Sequence, residues 1–232
     1  MHIHLGKSYT ACLDSTTGKE IWKVDCPAGE VSYSTPLIRK NGSEQEVIIT
    51  APSFGMMSLD FKTGKKNWAL PKAHDLRTVS SPVGITVGDK TFFSSSQKRY
   101  GYTAVKVENG KAEVAWRERK MGSYVPTHLA VGNSIFVLKD SGTLTKYDPV
   151  AQKELKQISF GANFYASPLL INNKIYCLSR NGKLFIVDPE NLTIVHKMDL
   201  EIPDGTDYSD STPAVAHDGI YIRIGNKLEF YK

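Results

Sequence analysis

Apolar residues in this chain come in short runs separated by turn-forming polar clusters. One stretch reads Pro168-Leu169-Leu170-Ile171, Asn172-Asn173, Lys174-Ile175-Tyr176-Cys177-Leu178, Arg180-Asn181-Gly182 and Lys183-Leu184-Phe185-Ile186-Val187. A further run, Thr193-Ile194-Val195-His196-Lys197, follows Asp188-Pro189. Short β-branched and aromatic runs bounded by Asn-Asn and Asn-Gly turns predict antiparallel strands joined by hairpins, here four in succession. No apolar stripe of helical period runs long enough to predict a helix.

The pattern repeats. Leu13-Asp14-Ser15-Thr16-Thr17-Gly18-Lys19-Glu20-Ile21-Trp22 returns as Leu59-Asp60-Phe61-Lys62-Thr63-Gly64-Lys65-Lys66-Asn67-Trp68. Weaker copies stand at Glu108-Asn109-Gly110 with Trp116, at Asp148-Pro149 with Lys156 and at Asp188-Pro189 with His196. The acids lie 46, 48, 40 and 40 residues apart. Between them, Ser34-Thr35-Pro36, Ser80-Ser81-Pro82, Ala166-Ser167-Pro168 and Ser211-Thr212-Pro213 each precede an apolar run, and Tyr124-Val125-Pro126 reads as a degenerate member. Four strands per repeat of about 40–45 residues is the layout of a β-propeller blade.

Each repeated residue type has a structural role. An Asp before x-x-Thr-Gly can accept hydrogen bonds from nearby amides, and the Gly supplies the positive φ of a tight turn. Pro at the first residue of a strand loses no ladder bond. Trp22, Trp68 and Trp116 are large plates suited to the seam between blades. Complete units run over residues 34–70, 80–118, 125–158 and 166–199, with 1–24 and 211–232 as partial blades. The whole chain, 1–232, is thus read as one all-β propeller domain with about five blades present.

The alternation of Ser-x-Pro with Leu-Asp-x-x-Thr-Gly-Lys-x-x-Trp resembles the pyrroloquinoline-quinone-like (PQQ-like) β-propeller repeat family. The likeness covers essentially the whole chain. It is strongest over residues 9–116 and weaker from 126 to 197, where the Thr-Gly and the Trp are lost. That family shares its fold with quinoprotein alcohol dehydrogenases. It also includes exported bacterial repeat proteins and the scaffold lipoprotein of the outer-membrane assembly machinery. The resemblance implies seven or eight blades, so the chain reads as the C-terminal part of a longer propeller. The alternative is a five-bladed ring in which residues 1–24 and 211–232 share one blade. The implied function is a non-catalytic module that binds a protein partner in the bacterial periplasm or another exported compartment. A small-ligand binder or a PQQ-dependent oxidoreductase is the alternative.

The cysteines bear on that choice. Quinoprotein dehydrogenases of this family use adjacent cysteines over the quinone and an Asp base beside calcium. Cys12, Cys26 and Cys177 are all separated, and no Asp matches the base, so neither PQQ nor calcium is expected. Cys12 and Cys177 fall in predicted strands, where a small buried thiol is ordinary, and Cys26 falls in a predicted loop. No Cys-x-x-Cys pair supports a metal or thioredoxin-type site. Met1-His2-Ile3-His4-Leu5 lacks the basic start and long apolar stretch of a signal peptide.

Composition narrows the partners. Of 232 residues, 41% are hydrophobic and 23% charged, with a net charge of +5 and no block of like charges. A mild, scattered excess does not predict a nucleic-acid arm, and no apolar run reaches the length of a membrane-spanning helix. The oligomeric state is not encoded in these features.

Three groups could carry chemistry. His2 and His4 share a strand face without a third metal ligand. Asp204, Asp207 and Asp210 offer oxygen ligands at a spacing unlike the known calcium loop. The third group is basic and aromatic: Lys98, Arg99, Tyr100 and Tyr102, with Arg117, Arg119, Lys120 and Tyr124. In a propeller, turns after second strands and loops between blades meet on one face. These eight residues are therefore the candidate partner-binding rim, suited to planar anions or an acidic surface.

Overall fold

The computed structural model describes residues 8–27, 34–71, 73, 81, 83–87, 90–97, 101–118, 122–202 and 208–232, and every regular element among them is a strand. The chain divides into two compact units, Met1–Gly122 and Ser123–Lys232. In the first unit, β1 (Ser8–Leu13) pairs with β2 (Glu20–Cys26). Two four-stranded antiparallel sheets follow in meander order. They are β3 (Leu37–Asn41), β4 (Glu44–Ala51), β5 (Gly55–Asp60) and β6 (Lys66–Leu70), then β7 (Val83–Val87), β8 (Lys90–Gln97), β9 (Gly101–Glu108) and β10 (Lys111–Glu118).

The second unit repeats the plan. One sheet holds β11 (Leu129–Val131), β12 (Ser134–Leu138), β13 (Thr143–Asp148) and β14 (Lys153–Ser159). The next holds β15 (Leu169–Ile171), β16 (Lys174–Leu178), β17 (Lys183–Asp188) and β18 (Thr193–Asp199). A three-stranded sheet follows, with β19 (Ala214–Ala216), β20 (Gly219–Ile224) and β21 (Lys227–Tyr231). These sheets are propeller blades, four complete and two partial, as the repeat predicts.

Where a blade is buried on both faces, a central strand carries consecutive apolar residues rather than alternating ones, as in β4 and β12. In β4, Val47 and Ile49 join a core with Trp22, Val24 and Cys26, while Ile48 between them joins Trp68, Phe93 and Val105. In the second unit Phe136, Leu138 and Leu144 pack with Phe164, Ile175, Cys177 and Phe185. Leu178 and Leu184 pack with Ile222 and Ile224 of the next sheet. Cys26 corrects the sequence reading: β2 runs on to this residue, which is buried beside the Thr10 hydroxyl rather than looped out.

The repeated acids cap turns as their spacing predicts. Asp60 Oδ1 accepts from the Lys62 and Thr63 amides at 3.1 and 2.8 Å and from the Thr63 hydroxyl at 2.7 Å. Asp14 does the same with Thr16 and Thr17. Where the Thr-Gly is lost the turn survives, because Asp188 Oδ1 still accepts from the Glu190 and Asn191 amides at 2.8 and 3.1 Å. These bonds favour the carboxylate. The Thr63 hydroxyl holds Asp60, and the Asn191 amide holds Asp188, below the ordinary aspartate range.

The outer-strand position ties one blade to the next. The Trp22 indole N–H donates to Phe61 O at 2.8 Å, and the ring lies so close over Gly64 that a Cβ there would approach it to 2.8 Å. In the repeat that begins at Asp148, Lys156 takes this position and donates through Nζ to Asn191 O at 2.6 Å. A cation therefore makes, to the same turn of the next blade, the bond the Trp22 indole makes in the first repeat.

The Ser/Thr-Pro landmark is a second tie. The Thr35 amide donates to Ser81 Oγ at 2.8 Å, that of Thr127 to Ser167 Oγ at 3.0 Å, and that of Ser167 to Thr212 Oγ1 at 2.9 Å. The degenerate copy is thereby re-registered. Thr127, not Val125, holds the hydroxyl position, and the buried His128 stands where other repeats have Pro.

Candidate functional site

Loops before β15 and β19 and the turn between β16 and β17 converge on Arg180. Its amide donates to Asn163 O at 2.8 Å, and its carbonyl accepts from the Ser209 amide at 2.8 Å. Both neighbouring loops thus fix the backbone before the side chain acts. Asp210 then takes the guanidinium in a two-pronged grip, Nε to Oδ1 at 2.6 Å and Nη2 to Oδ2 at 3.0 Å. The Tyr165 and Tyr208 rings lie 4.1 and 4.0 Å from the guanidinium carbon. A planar fork on a carboxylate with aromatic rings against its faces is an arrangement arginine allows and lysine does not.

The cluster extends one blade back. Tyr124 meets Tyr165 edge-on, with centroids 6.2 Å apart, and its amide donates to Asp140 Oδ1 at 3.1 Å. Asp140 occupies the turn between β12 and β13, equivalent to that of Arg180, and its carbonyl accepts from the Phe164 amide at 2.9 Å. Tyr124, Tyr165, Arg180 and Tyr208 so form a stripe over three inter-blade loops and the turn between β16 and β17. Tyr208 is 55% exposed, so the stripe ends on an open aromatic surface.

The titratable groups Arg180, His128 and Cys177 of this unit are paired or held neutral by burial. The Arg180 charge is matched by Asp210, whose hydrogen bond holds the guanidinium pKa above its ordinary value. Burial brings the His128 pKa down to about 3, so its imidazole is neutral near pH 7. Burial also pushes the Cys177 thiol well above its ordinary range, away from nucleophilic thiolate. Among the described residues, no three His, Cys, Asp or Glu side chains are grouped to hold a metal, and no helix is long and apolar enough to cross a membrane.

Of the eight rim residues expected from sequence, Lys98, Arg99, Tyr100, Arg119 and Lys120 lie outside the described residues. The backbone of Tyr102 lies in β9, opposite Glu118. Arg117, on β10 in the first unit, donates through Nη2 to Ala73 O at 3.3 Å. Tyr124 alone joins the cluster described here, in the second unit. Of the loop carboxylates, Asp204 and Asp207 lie outside the described residues, as do His2 and His4, while Asp210 is the partner of Arg180. Tyr165, Arg180 and Tyr208 escaped the sequence reading because they sit in three loops without a shared motif. The available signal was positional: each lies in a turn or loop assigned to the same face.

Comparison with known proteins places the chain. The family described as outer membrane protein assembly factor BamB matches residues 6–117 and again 112–229. No curated protein matches in sequence. Among solved structures, BamB from Moraxella catarrhalis superposes with a TM-score of 0.64 at 13% identity, covering 93% of this chain. Sqt1 of Saccharomyces cerevisiae superposes with a TM-score of 0.68 at 10% identity, covering 94%. The chain spans 64% and 63% of those two proteins. At such identities the superpositions establish the β-propeller fold, and the family match covers nearly every residue. This chain therefore belongs to the PQQ-like repeat propellers of the BamB family.

Proposed function

We propose that this protein is a non-catalytic scaffold propeller that binds a protein partner in the bacterial cell envelope, with no bound quinone or calcium in its working form. The observation that carries the reading is the stacked Arg180. Tyr and Arg supply much of the energy at protein interfaces, and a pre-ordered side chain loses little entropy on docking. Loops on a rigid scaffold are where binding residues concentrate. The family description, an assembly factor of the outer membrane, supports both the partner class and the compartment.

The experiment is capture from a bacterial envelope extract on the immobilised protein, comparing wild type with Tyr208→Ala and Arg180→Ala. Both variants should keep the wild-type circular dichroism spectrum and lose most of the captured partner. Equal recovery by all three proteins would remove the stacked arginine from the account.

A further inference from the structure

One irregularity recurs at the same place in every repeat. Glu20 and Trp22 of β2 stand opposite Leu13 and Cys12 of β1, so Ile21 between them has no partner. Asn67 in β6 is skipped between Lys66 and Trp68, and Ala115 in β10 between Val114 and Trp116. Leu155 in β14 and Val195 in β18 are skipped likewise. Each is the residue just before the outer-strand position held by Trp22, Trp68, Trp116, Lys156 or His196. These are β-bulges, one extra residue in one strand of an antiparallel pair. All lie in the outermost strand of their sheet, and the other described strand pairs run without a shift.

Packing does not account for the extra residue. Ile21, Leu155 and Val195 are 57, 46 and 51% exposed, and Asn67 is exposed as well. What the bulged strands share is an open edge, since β6, β10, β14 and β18 each end their sheet. A free edge is a row of amides and carbonyls onto which another chain can add. On a regular edge the outward-facing groups recur at every second residue. Across the extra residue the spacing becomes about three, so an incoming strand in register with one half is out of register with the other. β18 is thereby cut into 193–194 and 196–199, and β14 into 153–154 and 156–159. Each outer strand also carries a lysine, in Lys23, Lys66, Lys111, Lys153 and Lys197, and like charges are unfavourable where an edge meets its own copy.

We propose that the recurring bulge is an edge guard, which keeps the outer rim of each blade from adding a strand of a second copy of this chain. The bulge also precedes the residue that ties one blade to the next at Trp22 and Lys156. That tie does not explain the bulge in β18, where His196 follows it and is exposed. The guard rests on the outer strands alone and stands or falls separately from the Arg180 cluster.

β18 is therefore the strand to alter. Deleting Val195 joins Ile194 to His196, whose partners Val187 and Ile186 are already adjacent, so the pairing on both sides of the bulge is kept. The deletion variant of the full chain should keep the wild-type circular dichroism spectrum. It should form larger species in sedimentation velocity as concentration rises, while its outward β18 amides exchange hydrogen several-fold more slowly. Val195→Ala, which trims the side chain and leaves the bulge, should behave as wild type. Deleting Ala115 from β10 repeats the comparison in the first unit, and takes its place where the β18 variant does not fold. In the wild type the outward β18 amides should exchange rapidly at every concentration, a reading that needs no variant. A folded deletion variant that sediments like the wild type overturns the proposal. So does equal association by Val195→Ala, which would assign the effect to the side chain, and so does wild-type exchange that slows with concentration.

Discussion

Gly142 offers a sharp test of how the loop cluster is built. It lies in the turn between β12 and β13 with φ of +91°, and a Cβ there would stand 2.0 Å from Ala162 O. Its amide donates to Lys139 O and its carbonyl accepts from the Phe160 amide, both at 2.9 Å. Phe160 packs on Phe164 and Phe185, with ring centroids 5.2 and 4.7 Å away. Gly132 provides the control, since its φ is +56° and nothing lies within 4 Å of a Cβ there. Gly132→Ala should cost about 1 kcal/mol, the penalty of a left-handed alanine. Gly142→Ala adds a backbone clash that must push Ala162 away and break the bond to Phe160, about 2–3 kcal/mol more. The assay is urea unfolding of the full chain by circular dichroism, comparing midpoints at a constant slope. Two variants with equal midpoints would refute the close approach and the fixed path of the Tyr165 loop.

Two further outcomes follow from single residues. Ser167→Ala should destabilise by about 1 kcal/mol, because the Thr127 amide loses its acceptor, while Ser167→Thr should restore stability as Thr212 does in the next repeat. Equal melting temperatures for all three proteins would deny the tie. For His128 the folded pKa of about 3 lies below the ordinary 6.5, so the unfolded chain binds the proton first as pH falls. Stability should be unaffected above that ordinary value and fall below it by up to about 1.4 kcal/mol per pH unit. His128→Gln should flatten the wild-type slope between pH 5 and about 6.5, above the range where carboxylates titrate; parallel curves would contradict it.

The fold was legible because its determinants are local. Asp60, Thr63 and Gly64 shape their turn within five residues, and the strands are short runs broken by turn residues. The degenerate repeat was misplaced because Pro is conspicuous in sequence while the hydroxyl of the preceding residue makes the bond. Without a Pro, the role of Thr127 shows only in its partner, 40 residues away. The site was less legible for the same reason enlarged. Arg180 and Asp210 are 30 residues apart, and only the fold makes a loop carboxylate the partner of a turn arginine. Asp210 read by itself suggested an oxygen ligand for a cation, and it does hold one, in the form of a guanidinium.

The hydroxyl tie has a direction. At each such junction the earlier repeat offers the amide and the later one the hydroxyl, as at Thr35 with Ser81 and Thr127 with Ser167. Ser167 does both, receiving from one side and giving to the other. Repeats joined in this way behave like links with a hook at one end and an eye at the other. A gene can gain or lose a whole link and every hook still finds an eye, whereas a cut that moves part of a link leaves one of each unmatched. Lengthening or shortening by entire repeats is therefore the change this architecture tolerates best.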